Sequence, residues 1–111
     1  PYIKAVRVRP GLDLLQLAGH YQDARGLLCD AYKAGVPGGT GETFDWQLLD
    51  VELPLPVILA GGQSPENVAQ AVSTVKPYAV DVSGGVEAAK GIKDIDLVNR
   101  FIQEVARGDR N

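Results

Sequence analysis

Pro56-Val57-Ile58-Leu59-Ala60-Gly61-Gly62-Gln63-Ser64-Pro65-Glu66-Asn67-Val68 reads as a strand that turns through glycine into a helix. Residues 57–60 are a short apolar run, bounded by Pro54 and Pro56 on one side and Gly61-Gly62 on the other, which is strand punctuation. Ser64 offers a capping hydroxyl, and Pro65 sits where its missing N–H costs nothing. Val68, Ala71, Val72 and Val75 then recur at helical spacing until Pro77 ends the run.

The same alternation extends outward in both directions. Strands are expected at residues 2–8, 27–30 and 78–82, where short runs are apolar and mostly rich in β-branched side chains. Pro10-Gly11 breaks the first, and Asp13 can cap a helix over residues 14–19. Asp45 can begin a short helix at 46–51, with Phe44 and Trp46 as core aromatics. Asp94 can cap a last helix at 95–106, with Ile95, Val98, Ile102 and Val105 as its apolar stripe. The polar tail, residues 107–111, is expected to fray.

Strands alternating with helices imply a parallel α/β sheet. The strands are nearly continuous apolar runs, as expected when both faces are covered. Four βα units cannot close a barrel. They fit either an open sheet or half of a (βα)8 barrel. The 111 residues allow one domain.

Composition narrows the class of function. A net charge of −3 leaves no basic patch for nucleic acid. No apolar run approaches the roughly 18–20 residues that span a bilayer. One cysteine excludes an internal disulfide and a cysteine-based metal cluster, which fits a cytoplasmic setting. No grouping of His, Cys and acids calls for a metal, and no cofactor is expected. The chain opens at Pro1 directly in strand-like sequence, without Met, as a fragment or processed chain would.

Polar and glycine residues gather after the strands, where ligands bind in both architectures. Asp30 ends Leu27-Leu28-Cys29, Gly61-Gly62 follows Ala60, and Asp81 leads into Val82-Ser83-Gly84-Gly85. Gly38-Gly39-Thr40-Gly41 runs into Phe44-Asp45-Trp46. Glycine lets backbone N–H groups close on a phosphate, although tight turns alone also use it. Asp30 could equally be a turn aspartate bonded to nearby backbone. Period-two alternation puts Cys29 on the face opposite Asp30, so a site-facing Asp30 makes Cys29 a core thiol. Lys4 and Arg7 face opposite ways, and which of them points into a barrel interior stays open. His20 reads as a surface or helix-end residue.

These motifs, in this order, resemble phosphoribosylanthranilate isomerase. The resemblance rests on Leu27-Leu28-Cys29-Asp30-Ala31, Gly38-Gly39-Thr40-Gly41 with Phe44-Asp45-Trp46, and Leu59-Ala60-Gly61-Gly62 with Ser64-Pro65-Glu66-Asn67-Val68. Ala79-Val80-Asp81-Val82-Ser83 with Gly85-Val86-Glu87, and Gly91-Ile92-Lys93-Asp94, complete it. It covers nearly the whole chain and matches the carboxyl half of a (βα)8 barrel, strands five to eight. It implies an Amadori rearrangement in tryptophan biosynthesis, converting an aminoaldose to an aminoketose. Asp30 would be the acid that protonates the departing ring oxygen. Desolvation at the apolar end of a strand favours a proton-donating carboxyl.

By the same resemblance, Gly61, Gly62, Ser83, Gly84 and Gly85 hold the substrate phosphate, and Asp81 meets the sugar hydroxyls or orients the reacting carbon. Gly38, Gly39, Thr40 and Gly41 form a loop over the site. Gly84 stands where the family commonly has a second serine, which removes a hydroxyl contact and keeps a backbone donor. The family's catalytic base, a cysteine on an amino-terminal Lys-Ile-Cys-Gly strand, and its anthranilate-binding arginine have no counterpart here. The implied partners are a phosphorylated sugar-anthranilate substrate and either the amino-terminal half of the barrel or a second copy of the chain. Activity of the chain alone is not expected. The alternatives are a non-catalytic half-barrel assembly module and another sugar-phosphate barrel, such as indole-glycerol-phosphate synthase or ribulose-phosphate epimerase.

Overall fold

The structure, a computed structural model, describes residues 1–8, 11–30, 49 and 52–110. The Gly38–Gly41 loop and the expected helix at 46–51, with Phe44, Asp45 and Trp46, lie outside the described residues. In chain order the elements are β1 (Ile3–Arg7), α1 (Leu14–His20), β2 (Gly26–Asp30), β3 (Val57–Ala60), α2 (Val68–Val75) and β4 (Ala79–Val80). A 3₁₀ turn (Gly84–Val86), the short strands β5 (Glu87–Ala89) and β6 (Ile92–Lys93), and α3 (Ile95–Asp109) follow. β1 to β4 form one sheet in sequence order, every pairing parallel. β5 and β6 pair antiparallel as a separate small hairpin, which the sequence reading did not include.

The register fixes what each face carries. Val6, Cys29, Leu59 and Val80 form one row across the sheet. Cys29 and Leu59 in that row are fully buried and pack with Leu14 and Ala18 of α1 and Ala71 of α2. The neighbouring row, Ala5, Leu28, Ile58 and Ala79, points the other way. Its members are exposed or half-buried. The expectation that both faces are covered therefore fails among the described residues: helices cover one face and leave an apolar row on the other.

Helix starts and stops follow local chemistry with one exception. The Asp13 carboxylate accepts from Gln16 N at 3.0 Å. That of Asp94 accepts from Asp96 N at 2.8 Å and Leu97 N at 3.2 Å. Each carboxylate satisfies an orphan helix donor. Ser64 does not cap by its side chain as expected. Its carbonyl accepts from Asn67 N and Val68 N, which makes a turn, and α2 begins only at Val68. α2 ends at Lys76, which adopts left-handed φ 52° before Pro77.

The α3 stripe also needs correction. Leu97, Val98, Phe101 and Val105 pack on Val68, Val72 and Val86, whereas Ile95 and Ile102 are 70% and 61% exposed. The tail does not fray at 107, since α3 continues to Asp109. Gly108 explains the extra turn: a Cβ there would lie 2.6 Å from Ala69 O and 2.9 Å from Val72 Cβ. The two helices close on each other at that point because no side chain intervenes.

Gly19 and Gly108, both helical, should therefore respond with opposite sign to alanine. Gly19 has nothing within 4 Å of an added Cβ, so Gly19→Ala should stabilise by about 0.5–1 kcal/mol through backbone entropy. Gly108→Ala should destabilise by about 1–3 kcal/mol, because the clash outweighs the same propensity gain. Urea titrations of both variants check the signs.

Candidate active site

Parallel pairing brings the carboxyl ends of the strands to one edge. Arg7, Asp30 and Ala60 share a row there, on the open face. The chain leaving β4 continues the alignment, with Asp81 N donating to Leu59 O at 2.8 Å. A cleft of about 240 Å³ opens at this edge, lined by Leu28, Asp30, Ala60, Gly61, Gly62, Gln63, Asp81, Val82, Ser83, Gly84 and Gly85. It unites two of the three polar or glycine loops that follow the strands. Every site residue named from sequence within the described part lies on it.

The first glycine loop is braced from below. Gly61 and Gly62 both hold positive φ, 85° and 69°, a conformation that disfavours any side chain. The Asn67 amide clamps the loop, donating to Gly62 O at 2.9 Å and accepting from Ser64 N at 2.9 Å. The second loop sits directly on the first. A Cβ on Gly85 would fall 1.9 Å from Gln63 O and 3.0 Å from Ser64 Cα, so glycine is required there by contact, not by dihedral angle. Lys93 secures the outer side of the second loop. Its ammonium donates to Ser83 O at 3.0 Å and to Glu87 Oε2 at 2.6 Å. That hydrogen bond to Lys93, helped by one from Gly91 backbone, holds the Glu87 carboxyl below its ordinary range.

Asp30 is half-buried and Asp81 exposed. Both open onto the same cleft as the glycine loops. The question left open for β1 is answered by register: Arg7 pairs with Asp30 and shares its face. Lys4 lies the other way, with Nζ 4.7 Å from the centre of the Tyr21 ring. His20 is the exposed last residue of α1. Cys29 has no exposure, and burial pushes its thiol up to about 11. One residue that sequence reasoning missed is Gln63. It is only 3% exposed and lines the cleft, yet a glutamine in a loop carries no signal of burial.

Two glycine loops and two acids thus meet in one cleft at the carboxyl edge of a parallel sheet, the edge at which ligands bind in α/β folds. The profile of the family described as N-(5'phosphoribosyl)anthranilate (PRA) isomerase matches residues 1–104. The chain belongs to this family. It is 62% identical over 105 residues to the N-(5'-phosphoribosyl)anthranilate isomerase of Nitrosomonas europaea, covering 95% of this chain and 50% of that protein. The crystal structure of phosphoribosyl anthranilate isomerase from Thermotoga maritima superposes with TM-score 0.76 at 40% identity, over 94% of this chain and 50% of the other. A phosphoribosyl anthranilate isomerase in complex with reduced 1-(o-carboxyphenylamino)-1-deoxyribulose 5-phosphate superposes with TM-score 0.71 at 37% identity, over 94% of this chain and 47% of that one. The chain thus spans about half the length of the isomerases it matches.

Among the described residues no helix is long and apolar enough to cross a membrane. No three His, Cys, Asp or Glu side chains among them are grouped to hold a metal ion.

The buried thiol gives a pH test of the face assignment. Between the ordinary 9.0 and about 11 the unfolded thiol loses a proton that the folded one keeps. Folding stability should therefore fall as pH rises through that window, and Cys29→Ala should reduce the slope. At pH 8 a thiol reagent should leave native Cys29 unmodified and label it at once in denaturant.

Proposed function

We infer that this chain supplies the phosphate-binding and acid-bearing half of a phosphoribosylanthranilate isomerase acting in cytoplasmic tryptophan biosynthesis. The observation that carries the reading is one cleft shared by Asp30, Asp81 and the two braced glycine loops. The substrate is N-(5'-phosphoribosyl)anthranilate. Its phosphate sits on the backbone of Gly61, Gly62, Gly84 and Gly85, with Ser83 at the rim. Close approach of backbone donors suits a dianion, and the braces leave little to reorganise on binding.

Asp30 delivers the proton to the ring oxygen as the sugar C–O bond opens. The electron pair of the anthranilate nitrogen forms the C=N bond that results. A base then takes the proton from C2, which gives an enolamine, and tautomerisation gives the aminoketose. Asp81, which follows β4 two strands away from Asp30, hydrogen-bonds the sugar hydroxyls and holds C2 in place.

No cysteine lines the described cleft to serve as the base that a family cysteine provides. Cys29 is excluded by its face and its burial. The base and the anthranilate clamp come from a second half of the barrel. The open apolar row Ala5, Leu28, Ile58 and Ala79 supports this, since the interior of a closed (βα)8 barrel is packed with such side chains. β1 and β4, the two outer strands of the sheet, would be the seams. Pairing of two copies of this chain through the same seams is the competing assembly.

The test is turnover of phosphoribosylanthranilate. The chain alone should give none. Mixed with the amino-terminal half of a full-length relative it should turn over, and Asp30→Asn in the mixture should reduce kcat by roughly 10²–10⁴-fold, the usual contribution of a positioned acid. Turnover by the chain alone would mean that it finds another base.

A further inference from the structure

Gln63 stands apart from every other polar residue at the cleft. It is 3% exposed, the one polar side chain so enclosed among the described residues. Its Nε2 donates to Leu59 O at 2.7 Å, and its Oε1 meets no partner among the described residues. A sealed amide that is half satisfied is a liability for folding: an unpaired buried acceptor loses more than one neutral hydrogen bond returns. An apolar side chain of the same length would fill the space without that penalty. Stability therefore does not account for glutamine here.

Its connections point to another role. Leu59 O, at the carboxyl end of β3, accepts both from Gln63 Nε2 and from Asp81 N. The backbone carbonyl of the same Gln63 is the surface on which Gly85 rests. One residue thus ties the strand end to the first glycine loop by its side chain and to the second by its main chain. Asp81 is held from the same carbonyl oxygen. We propose that Gln63 is a positioning residue for the phosphate cradle, kept at the expense of stability to hold the Gly61-Gly62 and Gly84-Gly85 backbones at a fixed separation. It acts through those backbones and does not touch the ligand. The role rests on the phosphate site proposed above.

The probes are inorganic phosphate and ribose 5-phosphate, titrated into the protein and followed by amide chemical shifts. Gln63→Met removes the donor and keeps the volume. It should weaken phosphate binding roughly fivefold to tenfold, the worth of one such hydrogen bond, with Tm unchanged or higher. Gln63→Glu supplies the conservative rescue. A protonated glutamic acid can donate to Leu59 O, and a carboxylate is repelled by it. The ratio of its affinity to that of the unsubstituted protein should approach one at pH 5 and fall several-fold by pH 8, a ratio from which the ligand's own titration cancels.

Equal affinity in Gln63→Met, or a lower Tm that tracks the lost affinity, would overturn the proposal and leave the phosphate site standing. A flat ratio for Gln63→Glu would do the same. Absence of saturable binding by the unsubstituted protein would instead sink the phosphate site itself, and this role with it.

Discussion

Parallel pairing of β2 with β3 is the constraint on which the rest of the molecule depends. Cys29 opposite Leu59 and Asp30 opposite Ala60 do three things together. They send two apolar side chains into the helix-covered core, where both are fully buried. They turn the next residue on each strand to the open face. They also bring both carboxyl ends to one edge, so that an acid on one strand meets a glycine loop on the next. A slip of one residue would exchange the faces, placing the Asp30 carboxylate in the core and the thiol at the cleft. The burial of Leu59 and Cys29 stabilises the register, and the register makes the site.

The cleft is built mainly of backbone, and contact more than sequence motif determines its shape. Gly61 and Gly62 are required by positive φ, Gly85 by the carbonyl beneath it. Asn67, Gln63 and Lys93 brace the loops from three sides. A site made this way tolerates change in side chains that face the ligand better than change in those that face the loop. On the proposed reading, Gly84 where the resembled family commonly has serine fits that pattern, because a backbone donor is indifferent to the side chain it carries.

Much of the fold was legible because proline and glycine punctuate it. β3 was located to the residue: Pro56 precedes it and two glycines follow, so neither end could drift. Asp13 and Asp94 announced their helices by a carboxylate at the right distance from the first free N–H groups. The errors have physical reasons. Ser64 and Asn67 are both good caps, and local sequence does not say which one the turn at Pro65 will place at the helix start. Ile95 and Ile102 are apolar at helical spacing, yet α3 meets α2 along Leu97, Phe101 and Val105. Periodicity finds a stripe and does not rank two adjacent ones. The hairpin of β5 and β6 is too short, at three and two residues, for any alternation to show. In the site, Asp30, Asp81 and the glycines were visible because acids and glycines after apolar runs are exceptional. Gln63 was not, since its burial comes from a loop packing over it that no local pattern encodes.

The exposed side of the sheet bears on how the chain persists. Ala5, Leu28, Ile58 and Ala79 form an apolar row that no described helix covers, and Ile3 on the outer strand β1 is 52% exposed. Apolar surface of this kind, contiguous with the outer strands β1 and β4, favours association over solvation. On the proposed reading the same face receives the second half of the barrel, so closing the hydrophobic interior and completing the catalytic set are one event. The acid and the phosphate cradle lie at the rim of that face, where assembly would also remove them from water and strengthen every hydrogen bond to the substrate. Packing and chemistry then make the same demand on the partner: it must bring apolar side chains to the middle of the sheet and a base to its carboxyl edge.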